Sequence, residues 1–255
     1  TNKAYLGTLP FLTLTSLFLI YPTIYVMVGA FRDLDGKPSL QVLKKTFADV
    51  STKRPFKNTF ELSLKTAILG ALLGALVTWA IASGKGGLFK KITLSLSGVL
   101  SQFGGVMLTF AFLATFGFNG LVSSFFLKHY PNSPISQSSW LYGMNGLTVV
   151  YTFFQIPLMV LVFFPSFENM KREWREASDA LGGSVTEYWL RVGIPVLTPS
   201  FLGSTLLLFS NSFSAYATAA SLITNGTFLT PLQIADSLSS EVGGANAATA
   251  SSLSL

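Results

Sequence analysis

The sequence predicts an all-α fold, a polytopic bundle of membrane-crossing helices. Three observations carry this. Half of the 255 residues are hydrophobic and only 11% are charged, against about 25% charged in an average soluble domain. Apolar runs of about 20 residues, the length that crosses a bilayer as a helix, recur five times. The charged residues gather between those runs. A soluble core of this size would show shorter, amphipathic runs.

Composition also narrows the chemistry. There is no cysteine, which excludes a disulfide framework, a thiolate metal site and a cysteine nucleophile. His129 is the only histidine; it sits in a polar loop without the carboxylate partners a metal site needs. The net charge of +6 fits basic residues flanking membrane spans and calls for no nucleic acid. No GxxxxGK[ST], GxSxG, HExxH or paired-carboxylate pattern occurs at membrane depth. The expectation is a chain with no catalytic site, no bound cofactor and no metal, which does not itself hydrolyse ATP.

The spans follow in order. The first residue is Thr, so the chain is expected to be trimmed at its start. The run 5–31 is too long for a signal-peptide core and lacks a small-x-small cleavage site, so it is expected to stay as the first span, kinked near Pro22. The loop 32–60 carries seven Lys/Arg, with a short amphipathic helix expected over 40–47. The second span is 61–82. Lys65 lies one turn inside it and can snorkel to the surface. Gly70 and Gly74 form a small-xxx-small pair that lets another helix approach. A short basic turn leads to the third span, 92–116, where Gln102 beside Gly104-Gly105 is either a substrate contact or an interhelical hydrogen bond. After a loop rich in Asn, Ser and Pro comes the fourth span, 147–164, with Gln155 and Pro157 inside. The fifth, 196–220, is polar in its second half (Asn211, Ser212, Ser214, Tyr216) and should face protein or a water-filled cavity. Gln102, Gln155, Asn211, Ser212 and Tyr216 are the candidates for a pathway. The sequon Asn225-Gly226-Thr227 is discounted. The apolar run 245–255 is too short to cross and reads as a sixth span cut short.

The most charge-dense run between two spans is the loop 168–195. Glu173, Trp174, Glu176, Ala177, Ala180 and Leu181 recur at helical spacing. Gly182-Gly183 stops that helix. Ser184 and Glu187 have capping-box spacing, so a second helix starts at once. Pro195 fits the first turn of the next span. A compact polar helix–turn–helix at a membrane surface is built for docking to another protein.

Glu176-Ala177-Ser178, Gly182 after three residues, and Val192-Gly193-Ile194-Pro195 after nine more resemble the cytoplasmic EAA loop of bacterial ABC importer permeases. Ser178 replaces the second alanine, and Val192 and Ile194 stand where that family has Ile and Leu. The resemblance implies a type I importer permease fold of about six spans in the bacterial cytoplasmic (inner) membrane. It implies a second permease subunit, two ATPase subunits that use ATP and Mg, and an external substrate-binding protein, all set in membrane lipid. Glu176, Ala177, Ser178, Ala180, Gly182, Val192, Ile194 and Pro195 would then couple the chain to an ATPase. Glu176 would contact the ATPase or cap the neighbouring helix. Ala177 and Ala180 would allow close approach. The runs 112–122 and 213–222 resemble permeases for polyamines, iron, thiosulfate or aminophosphonates more than those for sugars, which remain the alternative. Asp236 and Glu241 either meet a cationic cargo or binding protein, or are solvated.

Positive charge alone leaves the orientation nearly tied. With the Glu176 loop inside, eight Lys/Arg lie inside and nine outside, so the inside placement of that loop and of the N-terminus rests on the resemblance. The rival from another class is an ATP-independent transporter or channel, which needs an ionisable relay or paired broken helices at midplane.

Overall fold

The computed structural model describes residues 4–31, 39–40, 44, 46, 48–84, 87–133, 135, 139–223 and 228–239. The expectations for most of 40–47, for the sequon, for Glu241 and for 245–255 fall outside the described residues. The chain divides into two compact units, 1–59 with 227–255, and 60–226. Five helices are long and apolar enough to cross a membrane.

In the first unit, α1 (Ala4–Thr15) and α2 (Tyr21–Ala30) are joined by a π turn, Ser16–Ile20. Pro22 explains the π turn. It has no N–H to give, and its ring would clash with the carbonyl of Phe18. The widened turn absorbs this, with the Tyr21 N–H bonding to Ser16 O. Helix α3 runs from Val50 to Ser83, passing from this unit into the second at Thr59–Phe60, and starts three turns earlier than the apolar run 61–82. One local contact and one from far along the chain support the extension. Asp49 caps its start by accepting the Ser51 N–H at 3.0 Å. Pro55 leaves the Ser51 carbonyl without its helical donor, and Gln233 Nε2 donates to that carbonyl at 3.3 Å. Gln233 belongs to α12 (Thr230–Ser239). The start of α12 is fastened to α3 again by the Thr230 N–H on Thr59 Oγ1 (2.8 Å) and by Asn58 Nδ2 on Phe228 O (3.0 Å).

The second unit is built around a single central helix. The run 92–116, expected as one span, is two helices here, α4 (Gly87–Gln102) and α5 (Gly105–Phe116). The break falls at Phe103–Gly104, and Gly105 has φ +67°, a left-handed conformation that favours glycine. A tight turn leads to α6 (Leu121–His129), and a 3₁₀ turn, Ser139–Tyr142, precedes α7 (Met144–Glu168). Helix α8 (Arg172–Ala180), the short α9 (Val185–Tyr188) and a π turn (Trp189–Gly193) follow, then α10 (Ile194–Phe213) and α11 (Ala217–Leu222). Helix α7 packs against α4 and α10, and more than half of its apolar window is buried inside the chain. Ala67 and Ala71 of α3, Met159 and Phe163 of α7, and Leu197 and Leu208 of α10 share one core cluster.

Helix α3 reaches α7 because it has no side chain where they meet. A Cβ on Gly70 would lie 2.5 Å from Gln155 Cβ, and one on Gly74 would lie 2.5 Å from Met159 Cβ. The small-xxx-small pair read from the sequence therefore receives α7. It belongs to a longer stripe of small and hydroxyl residues, Thr59, Ser63, Thr66, Gly70, Gly74 and Thr78, every one buried.

A polar knob and a buried polar seam

The segment between α7 and α10 forms a knob whose frame is held by backbone and polar side chains. The Leu181 N–H bonds to Ala177 O and the Gly183 N–H to Ser178 O, which closes α8. Gly182 makes this possible at φ +76°. Gly183 is needed for space, since a Cβ there would meet Ser178 Oγ at 2.7 Å. The capping box expected from Ser184 and Glu187 is present in both directions. Ser184 Oγ accepts the Glu187 N–H at 3.2 Å, and Glu187 Oε2 accepts the Ser184 N–H at 3.0 Å. Glu187 lies in the polar turn ahead of the apolar run. Its carboxyl is held below the usual carboxylate range first by the Ser184 backbone N–H, then by the Ser184 hydroxyl and the Arg191 charge.

The two arms of the knob are tied across the turn. Tyr188 is buried and lies under the Arg175 guanidinium, 5.2 Å from its ring centre. Arg175 also pairs with Asp179 at 3.1 Å. At the root, Pro195 sits in the first turn of α10. The π turn just before it repeats the device before Pro22, here with the Ile194 N–H on Trp189 O. A groove of ≈ 560 Å³ opens on the knob, lined by Trp174, Ala177, Leu181, Tyr188 and Val192 among others.

What the knob presents outward is mixed. Leu181 is 89% exposed, and Val185, Leu190 and Ile194 are largely exposed as well. Glu176, Ala177 and Ala180 are exposed, while Ser178 and Val192 are half-buried. Glu176 makes no hydrogen bond or ion pair among the described residues. The second helix is capped by Ser184 and Glu187, which leaves no capping role for Glu176.

The pathway candidates separate into two groups. Gln155 and Ser212 are buried and join helices. Gln155 Nε2 donates to Leu208 O at 2.9 Å. Ser212 Oγ lies 2.8 Å from Thr66 Oγ1; the Thr66 hydroxyl already donates to Leu62 O, which leaves Ser212 as the donor between them. Tyr151 completes this seam, its hydroxyl donating to Ala215 O at 2.7 Å. Gln155 Oε1 and Ser63 Oγ are buried without a partner among the described residues. The second group, Gln102, Asn211 and Tyr216, is exposed. Gln102 makes no interhelical hydrogen bond among the described residues, so of its two readings that one is not realised.

Thr66 and Tyr151 were not singled out in the sequence. The signal for Thr66 was available in the stripe of small residues on α3. Tyr151 gave none, since a lone Tyr in an apolar run reads as core.

The chain has clear relatives. It is 25% identical over 214 residues to "Putative ferric transport system permease protein FbpB 1" of Haemophilus influenzae, a match covering 83% of this chain and 32% of that protein. It is 27% identical over 173 residues to "Probable sulfate transport system permease protein cysT" of Marchantia polymorpha, covering 66% of this chain and 55% of that one. It spans about a third of the length of the ferric relatives it matches. No family model matches. Among solved structures, a bacterial ABC transporter for import of the acidic polysaccharide alginate superposes with a TM-score of 0.75 at 14% identity, covering 97% of this chain and 87% of that one. A multi-pass inner-membrane protein, this chain has the fold of an ABC importer permease and is similar over most of its length to ABC transporter permeases.

Proposed function

We propose that this chain is the membrane subunit of a binding-protein-dependent ABC importer and forms half of its translocation pathway. The knob 172–193 docks to an ATPase subunit, which uses ATP and Mg; the chain itself is not catalytic. The observation that carries this is the knob's construction. Two helices, capped and cross-tied, hold Leu181, Val185 and Glu176 outward in a fixed geometry. An exposed apolar tip on a rigid polar frame fits a protein groove. When ATP binding closes the ATPase pair, the knob is displaced as a body and the permease halves switch between inward- and outward-facing states. A second permease subunit supplies the other half of the pathway, and an external binding protein delivers the solute.

Glu176 makes a charge-assisted contact in that docking. Ala177, Ser178 and Ala180 permit close approach, Gly182 sets the turn, and Val192, Ile194 and Pro195 fix where the next span begins. Asn211 and Tyr216, exposed near the end of α10, line the pathway, with Gln102 as a further lining candidate. Gln155 and Ser212 hold the helices that carry it. The solute is a small charged species of the iron, polyamine, oxyanion or phosphonate kind. Ferric and sulfate in the relatives' names favour this over the sugar-type alternative.

The test replaces Gly182 with Asp. The variant should insert normally and lose the ATPase, read by co-purification and by cross-linking from single cysteines in the knob. Full ATPase recovery with unchanged turnover of ATP would refute the docking role. Cysteines at 211 and 216 should label from outside in a nucleotide-dependent way; labelling indifferent to nucleotide would remove them from the pathway.

One observation favours an ATP-independent transporter: two interrupted helices meet, with a Cβ on Gly105 lying 3.5 Å from Ala217 Cβ. Neither break carries an Asp, Glu, Lys, Arg or His, so neither supplies the charged relay that would couple an ion gradient.

A further inference from the structure

Lys90 and Glu168 each stand at the helix end that disfavours them. Lys90 is in the first turn of α4, where the helix dipole is positive. Glu168 is the last residue of α7, where it is negative. Each placement is unfavourable for its own helix, so helix stability explains neither. Together they are accounted for by the contact they make. Lys90 Nζ and Glu168 Oε1 form an ion pair at 2.5 Å between helices 78 residues apart in sequence. The same ammonium lies 4.8 Å from the centre of the Phe164 ring, and Phe164 is buried. The pair is therefore seated on a fixed aromatic face, although both side chains are partly exposed, 38% and 53%.

The position matters more than the energy. Glu168 is four residues before Arg172, where the knob's first helix begins. From Lys90, helix α4 continues to Gln102, beside the break at Phe103–Gly104. We propose that Lys90 and Glu168 are positioning residues that tie α4 to the root of the knob, so that the knob and α4 move as one body. This rests on the docking reading above. The tie would carry knob motion to the broken stretch of α4 and α5, which the continuous helix α7 does not reach through its own backbone.

The absence of native cysteine allows clean spin labelling. Labels at Thr186→Cys and Leu88→Cys report knob against α4. Labels at Thr186→Cys and Leu121→Cys report knob against α6. Both are measured in the complex that co-purifies with its ATPase, with and without MgATP and vanadate. The 186–121 distance should change with nucleotide while 186–88 stays single and constant. Lys90→Met and Glu168→Gln should each let 186–88 broaden with nucleotide and change ATP turnover about two- to fivefold, the range expected of one exposed pair. The exchange Lys90→Glu with Glu168→Lys places both charges at favourable helix ends and should restore the constant distance; Lys90→Arg should keep it.

A constant 186–88 distance in both single variants, with 186–121 still moving, would overturn the tie and leave docking intact. Failure of the exchanged pair to rescue would also overturn it, assigning Lys90 to another anion such as lipid phosphate. Absence of a co-purifying ATPase, or a 186–121 distance blind to nucleotide, would instead sink the docking reading itself.

Discussion

The seam between α3, α7 and α10 and the knob after α7 are built inside out relative to each other. In the seam, polar and small residues (Ser63, Thr66, Gly70, Gln155, Ser212) are buried beside Met159 and Leu208, and large apolar side chains such as Leu72, Leu76 and Leu206 face outward. In the knob, charged and backbone groups form the frame, and Leu181 and Val185 point into the surroundings. Lipid is as apolar as leucine, so helices in a bilayer gain little by burying leucine and instead join through close backbone approach and hydrogen bonds. Outside the bilayer the hydrophobic effect returns, and an exposed apolar tip on a rigid frame is what the proposed docking would cover. The contrast between these regions is a contrast of solvent.

The comparison can be broken at four points. The largest effect is expected at Gly74→Leu, which drives a side chain into Met159 where even a Cβ has no room. Overpacking of this severity costs about 3 kcal/mol or more, and the yield of folded protein in detergent should collapse. Leu181→Asp should do the reverse: unchanged thermal stability, within about 0.5 kcal/mol, with ATPase association weakened tenfold or more, about 1.4 kcal/mol. If both variants lost only stability, the seam and the knob would not differ in kind.

Ser184→Ala removes the cap and should cost about 1 kcal/mol locally, seen as faster proteolysis of the knob. Its pH dependence sharpens the point. The Glu187 pKa is depressed in the fold, so its contribution is full above the unfolded value of about 4.3 and is lost as pH falls through the lowered one. Acid should therefore shrink the difference between Ser184→Ala and the parent. The smallest effect belongs to the seam. A double-mutant cycle of Thr66→Val and Ser212→Ala should give about 0.6 kcal/mol of coupling, the usual worth of a hydrogen bond between membrane helices. A value near zero would mean that the 2.8 Å pair follows the packing without helping to hold it.

Much of the knob was legible because its determinants are local. Gly182 at positive φ, the Ser184–Glu187 box and Pro195 at the start of α10 act over three or four residues, and each was read from spacing alone. The Gly70–Gly74 contact was legible in type, since paired small residues announce a close approach, but its partner was not. Proline gave kinks without their form: Pro22 and Pro195 each follow a π turn, and a missing N–H does not say which wider hydrogen bond replaces it. The break at Phe103–Gly104 was hidden because two glycines in an apolar run are equally consistent with a continuous span.

The sequence by itself determined that this chain crosses a membrane as helices, where it turns, and that one turn is a capped polar element. These follow from hydropathy and from backbone preferences that act over a few residues. Only the tertiary structure decided that Gln155 and Ser212 hold helices together while Gln102, Asn211 and Tyr216 stay open, and that Lys90 meets Glu168. Side-chain pairing across 53 to 170 residues depends on which helix faces which. In a chain apolar on every side, no periodicity records that choice.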